Sequence, residues 1–356
     1  MKKYNFYAGP AILPQEVIEQ AAKSALEIGD TGLSLLEVSH RSKEVADIME
    51  EAKSSVYELL HLSDDYEVVF LQGGASSQFF MTAMNFLGDN ERAGYIDTGS
   101  WSTKAFKEAK RFGHAELTAS SKDKNYNYIP KAYQIDSDLK YLHLTSNNTI
   151  FGTQYQGFPD SDVKYICDMS SDIFSKPIDM SKFGLIYAGA QKNLGPAGAT
   201  LVILNKEFLA RTSREVPTML DYNTHIAKDS SFNTPPVFAI YVSMLTMRWL
   251  KKHGGVEGIA KKNESKAKLL YDEIDRNTLF VGTAEHEDRS LMNVCFLLNN
   301  ESLMDEFLEQ CAAAGCVGIK GHRSVGGFRA SIYNAMPQQG VQVLVDVMKS
   351  FEEKHG

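Results

Sequence analysis

Between residues 42 and 60 the apolar positions Val45, Ile48, Met49, Ala52, Val56, Leu59 and Leu60 return at helical spacing. That period predicts an amphipathic helix, with Ser42 placed to cap it. Residues 14–28 predict an earlier helix, with Pro14 near its first position and Gly29 closing it. The pattern then changes to a compact β-type run, residues 66–71. Gln72-Gly73-Gly74-Ala75-Ser76-Ser77 reads as a tight turn, and residues 79–87 as a helix stopped by Gly88. The cycle repeats with a strand at 92–97, a helix at 102–112, and strands at 114–118, 139–144, 163–167 and 183–187. Strands separated by helices predict an α/β fold, a mostly parallel sheet covered on both faces. The run 199–204 follows 183–187 too closely for a crossover, so it is expected to run antiparallel.

Beyond the sheet, Thr234-Pro235-Pro236 introduces a long apolar helix reaching Lys252, and His253-Gly254-Gly255 ends it. The composition then shifts to a charged helix, 258–275, and a β-α-β-α pattern to the end. The expected division is a large domain at 16–255 and a small α/β domain made of 1–15 and 256–356. With 356 residues, 43% of them hydrophobic, the chain can bury a sizeable core and exceeds one ordinary domain. A net charge of −8 without any Lys/Arg block argues against a nucleic-acid partner. No window approaches the ~18 apolar residues of a membrane helix, and Lys2-Lys3 is not followed by a signal-length apolar stretch. Cys167, Cys295, Cys311 and Cys316 form no C-x-x-C pair and have no His at zinc-finger spacing. They read as reduced thiols of a cytoplasmic protein.

The candidate chemistry centres on Tyr187-Ala188-Gly189-Ala190-Gln191-Lys192-Asn193-Leu194-Gly195-Pro196-Ala197-Gly198. An apolar strand runs into small residues and ends on one lysine. A tight strand-end site suits an amine that must form a Schiff base better than it suits a solvated charge. Asp168 closes an upstream apolar run and could pair with a ring nitrogen; it could equally cap the segment starting at Ser170. Gln72 to Ser76 joins a strand to a helix N-terminus, where free N–H groups favour phosphate, although many βα turns use glycine for geometry alone. Trp101 could stack on a flat cofactor or simply pack. His40-Arg41, His322-Arg323 and Arg329 sit near turns, and arginines there suit bidentate capture of carboxylate or phosphate as well as surface ion pairing.

In that chain order the residues resemble the phosphoserine aminotransferase family, among the class V, fold-type I pyridoxal phosphate enzymes. The resemblance runs end to end, through Asn5-Phe6-Tyr7-Ala8-Gly9-Pro10, Glu37-Val38-Ser39-His40-Arg41, the Lys192 stretch, Phe232-Asn233-Thr234-Pro235-Pro236, Lys320-Gly321-His322-Arg323, and Arg329 to Pro337. It implies a seven-stranded sheet in the large domain and pyridoxal 5′-phosphate carried on Lys192. Asp168 would face the ring nitrogen and Trp101 would stack on the ring. Ala75, Ser76, Thr149 and Gln191 would contact the cofactor, with Asn233 and Thr234 reaching its phosphate from the second subunit of a homodimer. Arg329 would hold the substrate α-carboxylate, and His40, Arg41, His322 and Arg323 the distal anion. The implied reaction is amino transfer between L-glutamate and 3-phosphohydroxypyruvate, giving phosphoserine and 2-oxoglutarate in serine biosynthesis. Parts of the family also act on a phosphorylated precursor of vitamin B6.

Two positions depart from the family. Some relatives carry arginine where Ser76 stands, and some carry serine where Ala8 stands. Phosphate recognition must then lean on His40, Arg41, His322 and Arg323. The competing readings are another small-substrate aminotransferase, a cysteine desulfurase, which needs a reactive cysteine on a mobile loop, or a nucleotide-binding regulator. The last lacks both G-x-x-x-x-G-K-[ST] at the glycine turn and a G-x-G-x-x-G after a strand.

Overall fold

The computed structural model describes residues 3–356. In chain order the elements are β1 (Tyr4–Asn5), α1 (Gln15–Leu26), α2 (Lys43–Leu60), β2 (Tyr66–Leu71), α3 (Gly74–Phe86), β3 (Arg92–Asp97), α4 (Ser100–Ala109) and β4 (His114–Ser120). Next come β5 (Leu142–Thr145), β6 (Tyr165–Asp168), β7 (Phe183–Gly189), β8 (Thr200–Asn205), and the short helices α5 (Lys206–Leu209) and α6 (Tyr222–Ile226). The apolar α7 (Val237–Lys252) and the charged α8 (Gly255–Arg276) follow. The chain ends with β9 (Phe280–Gly282), β10 (Asn293–Leu298), α9 (Met304–Ala313), β11 (Cys316–Val317), β12 (Phe328–Ser331) and α10 (Gln338–His355).

The principal sheet has seven strands in the order β2-β8-β7-β6-β5-β3-β4. Strands β7, β6, β5, β3 and β4 pair in parallel. Strand β8 runs antiparallel to both β7 and β2, as its short connection requires. The carboxyl ends of the other six strands therefore open on one side, where ligands of open α/β sheets bind. Burial explains why these strands read as near-continuous apolar runs: every residue of β5, β6 and β7 is buried. One apolar core joins the sheet to α1, α2 and α7, and a second packs α3 and α4 against its other face. The tyrosine-rich second core includes Tyr95, Tyr141, Tyr187 and Tyr222.

Two elements differ from the sequence reading. Helix α3 starts at Gly74, not Phe79, so the turn shrinks to Gln72 and Gly73. Gly73 adopts φ 92°, a left-handed conformation natural to glycine, and Ser77 Oγ donates back to the Gly73 carbonyl at 3.1 Å. The first helical turn is built of small residues, so no apolar period announces it. Downstream the order is β-β-α-β-β-α rather than β-α-β-α, because β9 and β11 have three and two residues. Strands that short leave no alternation to read.

The C-terminal elements form the three-stranded antiparallel sheet β12-β10-β9 and the parallel pair β1-β11. Tyr4 lies in register with Cys316, and Tyr4 and Phe6 join a third core built from Ala267 to Phe351. Among the described residues no helix is long and apolar enough to cross a membrane.

Candidate active site

Lys192 lies three residues beyond the end of β7. Its loop is tied down on three sides. Ala11 N–H donates to the Gln191 carbonyl at 2.9 Å, Asn193 Nδ2 donates to the Ile173 carbonyl at 2.6 Å, and Asn334 N–H donates to Asn193 Oδ1 at 3.0 Å. Close approach requires a glycine next to it: a Cβ on Gly195 would fall 2.3 Å from Ser243 Oγ of α7. The Lys192 amine donates to Thr149 Oγ1 at 2.8 Å, and Thr149 is 3% exposed. Withdrawal from water pushes the Lys192 amine down to about 8, against the opposing pull of Asp168.

Asp168, the last residue of β6, is 5% exposed. Burial raises its carboxyl above the ordinary value, while Lys192 and Ser170 act in the opposite sense. Ser170 donates to Asp168 Oδ1 twice, through its N–H at 2.9 Å and its hydroxyl at 2.6 Å. The capping geometry and the site geometry thus coexist in one carboxylate, and Oδ2 receives neither bond. Gly189 N–H donates to the same Ser170 hydroxyl at 3.1 Å, linking Asp168 to the strand that delivers Lys192. Behind it, Ser146 Oγ donates to the Asp168 carbonyl and to the buried Asp172.

Trp101 sits in the first turn of α4, with its ring centroid 5.5 Å from Lys192 Nζ. The helix start is fixed by Asp97, 4% exposed at the end of β3. Asp97 accepts from Ser102 at 3.2 Å, Thr103 at 2.7 Å, Ser120 at 3.1 Å and Tyr126 at 3.2 Å. Arg329, on β12, donates to the Thr149 carbonyl at 3.2 Å. The hydroxyl of Tyr333 donates to the Ala8 carbonyl at 2.7 Å, so a backbone bond operates at the position where some relatives have serine.

Lys192, Asp168, Thr149, Trp101 and Arg329 are thus brought together. His322 joins them electrostatically: burial first, then Arg329, Arg323 and Lys104, hold its imidazole below the ordinary value. Ala75 and Ser76 lie in the first turn of α3, at the carboxyl end of β2. Gln191 contributes its backbone carbonyl to the loop anchor. The exposed Thr234 accepts a 2.7 Å bond from Gln72 Nε2 through its carbonyl. No hydrogen bond or ion pair among the described residues joins Asn233, Thr234, His40 or Arg41 side chains to the Lys192 group.

The arginines separate cleanly. Among the described residues Arg41, Arg323 and Arg329 have no carboxylate at ion-pair distance, whereas every other arginine has one. The sequence reading did not find Ser170, Asp97, Tyr333 or Asn193. They act by bonds to residues distant in the chain or by short polar contacts that no motif displays. All four cysteines are free and buried, and burial pushes Cys295 up to about 12 and Cys316 up to about 11. Such thiols are poor nucleophiles, which removes the basis for a desulfurase.

A half-buried lysine whose amine is shifted down to about 8, a buried carboxylate with one oxygen free of its serine, and an indole beside the amine form a group suited to a pyridine aldehyde. Buried Trp101 Nε1 and Arg329 Nε without partners mark a wall still short of hydrogen-bond acceptors. The family model described as aminotransferase class-V matches residues 3–344. The chain belongs to that family, and pyridoxal 5′-phosphate is its cofactor. Within the family it is similar to the phosphoserine aminotransferase of Flavobacterium psychrophilum, 58% identical over 99% of this chain and 100% of that one. It is also similar to that of Parabacteroides distasonis, 56% identical over the whole of both chains. The solved phosphoserine aminotransferase of Bacillus circulans subsp. alkalophilus superposes with a TM-score of 0.97 at 46% identity, covering 100% of this chain and 99% of that one. The pyridoxal phosphate-bound enzyme of Trichomonas vaginalis gives 0.93 at 36% identity, covering 98% and 100%.

Proposed function

We propose that this chain catalyses reversible amino transfer between L-glutamate and 3-phosphohydroxypyruvate, producing O-phospho-L-serine and 2-oxoglutarate for serine biosynthesis. The observation that carries the reading is the Lys192–Thr149–Asp168 arrangement at the strand ends, in a chain 58% identical to a phosphoserine aminotransferase along its length. Pyridoxal phosphate, when bound, supplies a carbonyl for the amino group and a ring that accepts electrons from the substrate's α-carbon.

The protein's own residues do the rest. Thr149 aims the Lys192 amine, and its lowered pKa leaves it able to take the proton from the substrate Cα near neutral pH. Asp168, held by Ser170, would keep a proton on the ring nitrogen of the bound cofactor. Trp101 offers a flat apolar wall. The α3 N-terminus, with Ala75 and Ser76, offers free N–H groups to a phosphate. Arg329 takes the α-carboxylate shared by both substrates, and His40, Arg41, His322 and Arg323 take the γ-carboxylate or phosphate. Unpaired arginines support that assignment, because a cation with no acid beside it keeps its full attraction for a substrate anion.

The same reading makes the working enzyme a cytoplasmic homodimer. Among the described residues no hydrogen bond or ion pair joins the side chains of Asn233, Thr234, His40 or Arg41 to Lys192, as expected of groups serving a partner's site. It also divides the chain into a large domain, residues 16–255, and a small one, residues 1–15 with 256–356; the third apolar core, which takes in Tyr4 and Phe6, supports this. The test is a pair of half-reactions on the holoenzyme, with glutamate alone and with phosphoserine alone, followed by the visible absorbance of the bound cofactor. Both substrates are expected to change it; failure of phosphoserine to do so overturns the proposal.

A further inference from the structure

We infer that Lys104 is a further cation of the distal-anion pocket and favours the phosphorylated substrate over the dicarboxylate; this rests on the amino-transfer reading above. Lys104 stands one helical turn after Trp101 on α4, and its Nζ lies 4.5 Å from the indole centroid. The amine of Lys192 lies 5.5 Å from the same centroid. The indole is therefore shared by the reacting amine and a second, exposed one. That position is not the default for a helical lysine. Glu108, four residues on, is its ordinary partner on a helix face. Glu108 instead meets Arg111 at 3.4 Å, and Lys104 lies back over the ring.

The other cations near this lysine come from the segment Lys320 to Arg329. Lys104 is among the charges felt by His322, together with Arg329 and Arg323. Among the described residues none of Lys104, Arg323 and Arg329 forms an ion pair with an acid, in a chain whose net charge is −8. A local excess of positive charge without compensating carboxylates is the electrostatic form of an anion site. Ser76 is uncharged, and Lys104 of α4 carries a positive charge beside Trp101. A phosphate dianion carries more charge and more acceptor oxygens than a γ-carboxylate. An added point charge therefore acts more strongly on phosphoserine than on glutamate.

The experiment compares wild-type holoenzyme with Lys104→Met, which keeps the aliphatic stem over Trp101, and Lys104→Arg, which keeps the charge. For Lys104→Met the phosphoserine KM is expected to rise about tenfold and the glutamate KM by at most about threefold. Lys104→Arg restores most of the difference. Calorimetry with two unreactive ligands reads the same preference without turnover: 3-phosphooxypropanoate should lose affinity about tenfold, glutarate much less. Equal losses for both ligands, with a changed cofactor spectrum, would mean that Lys104 only steadies Trp101, and would overturn the inference. Unchanged constants would overturn it too. A wild-type enzyme inert to phosphoserine would instead overturn the amino-transfer reading itself.

Discussion

In the proposed reaction Lys192 and Arg41 are both working cations, yet the fold treats them oppositely. Lys192 is enclosed at the end of a wholly buried strand, bonded to Thr149 and shifted down to about 8. Arg41 stands exposed before α2, and among the described residues only its backbone N–H has a hydrogen bond, to Ser39 Oγ at 3.2 Å. The first must change its protonation state during reaction, and burial is how a protein brings a lysine pKa toward neutrality. The second must stay charged and find a ligand, so solvent and the lack of an internal partner suit it. Chemistry is placed where the sheet is most rigid, and recognition where the chain is open.

Substitutions at the two ends should therefore fail in different ways. Lys192→Ala removes the proton carrier and is expected to lower turnover at least about 10³-fold in both half-reactions, measured by steady-state assay. Asp168→Asn keeps the shape but not the charge, and should cost about 10²-fold or more in turnover with a smaller change in KM. A loss confined to KM would place Asp168 among the binding groups. Arg41→Ala should raise KM for both substrates about tenfold or more, since a charged hydrogen bond to substrate is worth roughly 1.5–3 kcal/mol. Its melting temperature should stay close to wild type, because the side chain is exposed and unpaired. Normal KM values in both half-reactions would remove Arg41 from the site.

Ser170→Ala should combine a moderate fall in turnover with about 1–3 kcal/mol of lost stability in urea, because it strips a donor from the buried Asp168 and an acceptor from Gly189. The smallest effect is one of pH. In cofactor-free protein the folded Lys192 binds its proton less tightly than the unfolded chain does, so its burial cost is fully present below about pH 8. The cost disappears as pH rises toward the unfolded value near 10.4. The stability of wild type relative to Lys192→Ala should consequently climb across that window. Taking the difference between the two proteins cancels the buried tyrosines and cysteines; a flat difference would show that Lys192 is not withdrawn from water.

The same contrast explains what could be read from the chain beforehand. The inner strands β5, β6 and β7 were legible because full burial makes each a compact apolar run, and β8 announced its direction by the shortness of its connection. Lys192 and Asp168 were legible as strand-end residues. Ser170, Asp97 and Tyr333 were not, since their roles exist only after Asp168 meets Ser170, β3 meets α4, and β12 meets the N-terminal segment. The early start of α3 was hidden by Ala75, Ser76 and Ser77, which carry no apolar signal yet expose the amides a phosphate needs.

The pairing of β1 with β11 has a consequence for biosynthesis. Tyr4 emerges from the ribosome early but can dock only after Cys316 has been made, and Ala8 waits for Tyr333. The lysine loop, anchored by Ala11, is thus stitched to a segment held open until Cys316 and Tyr333 exist. A nascent chain can assemble its central sheet, but it closes these contacts only after Tyr333 has been made, so products truncated before Tyr333 are not expected to transfer amino groups.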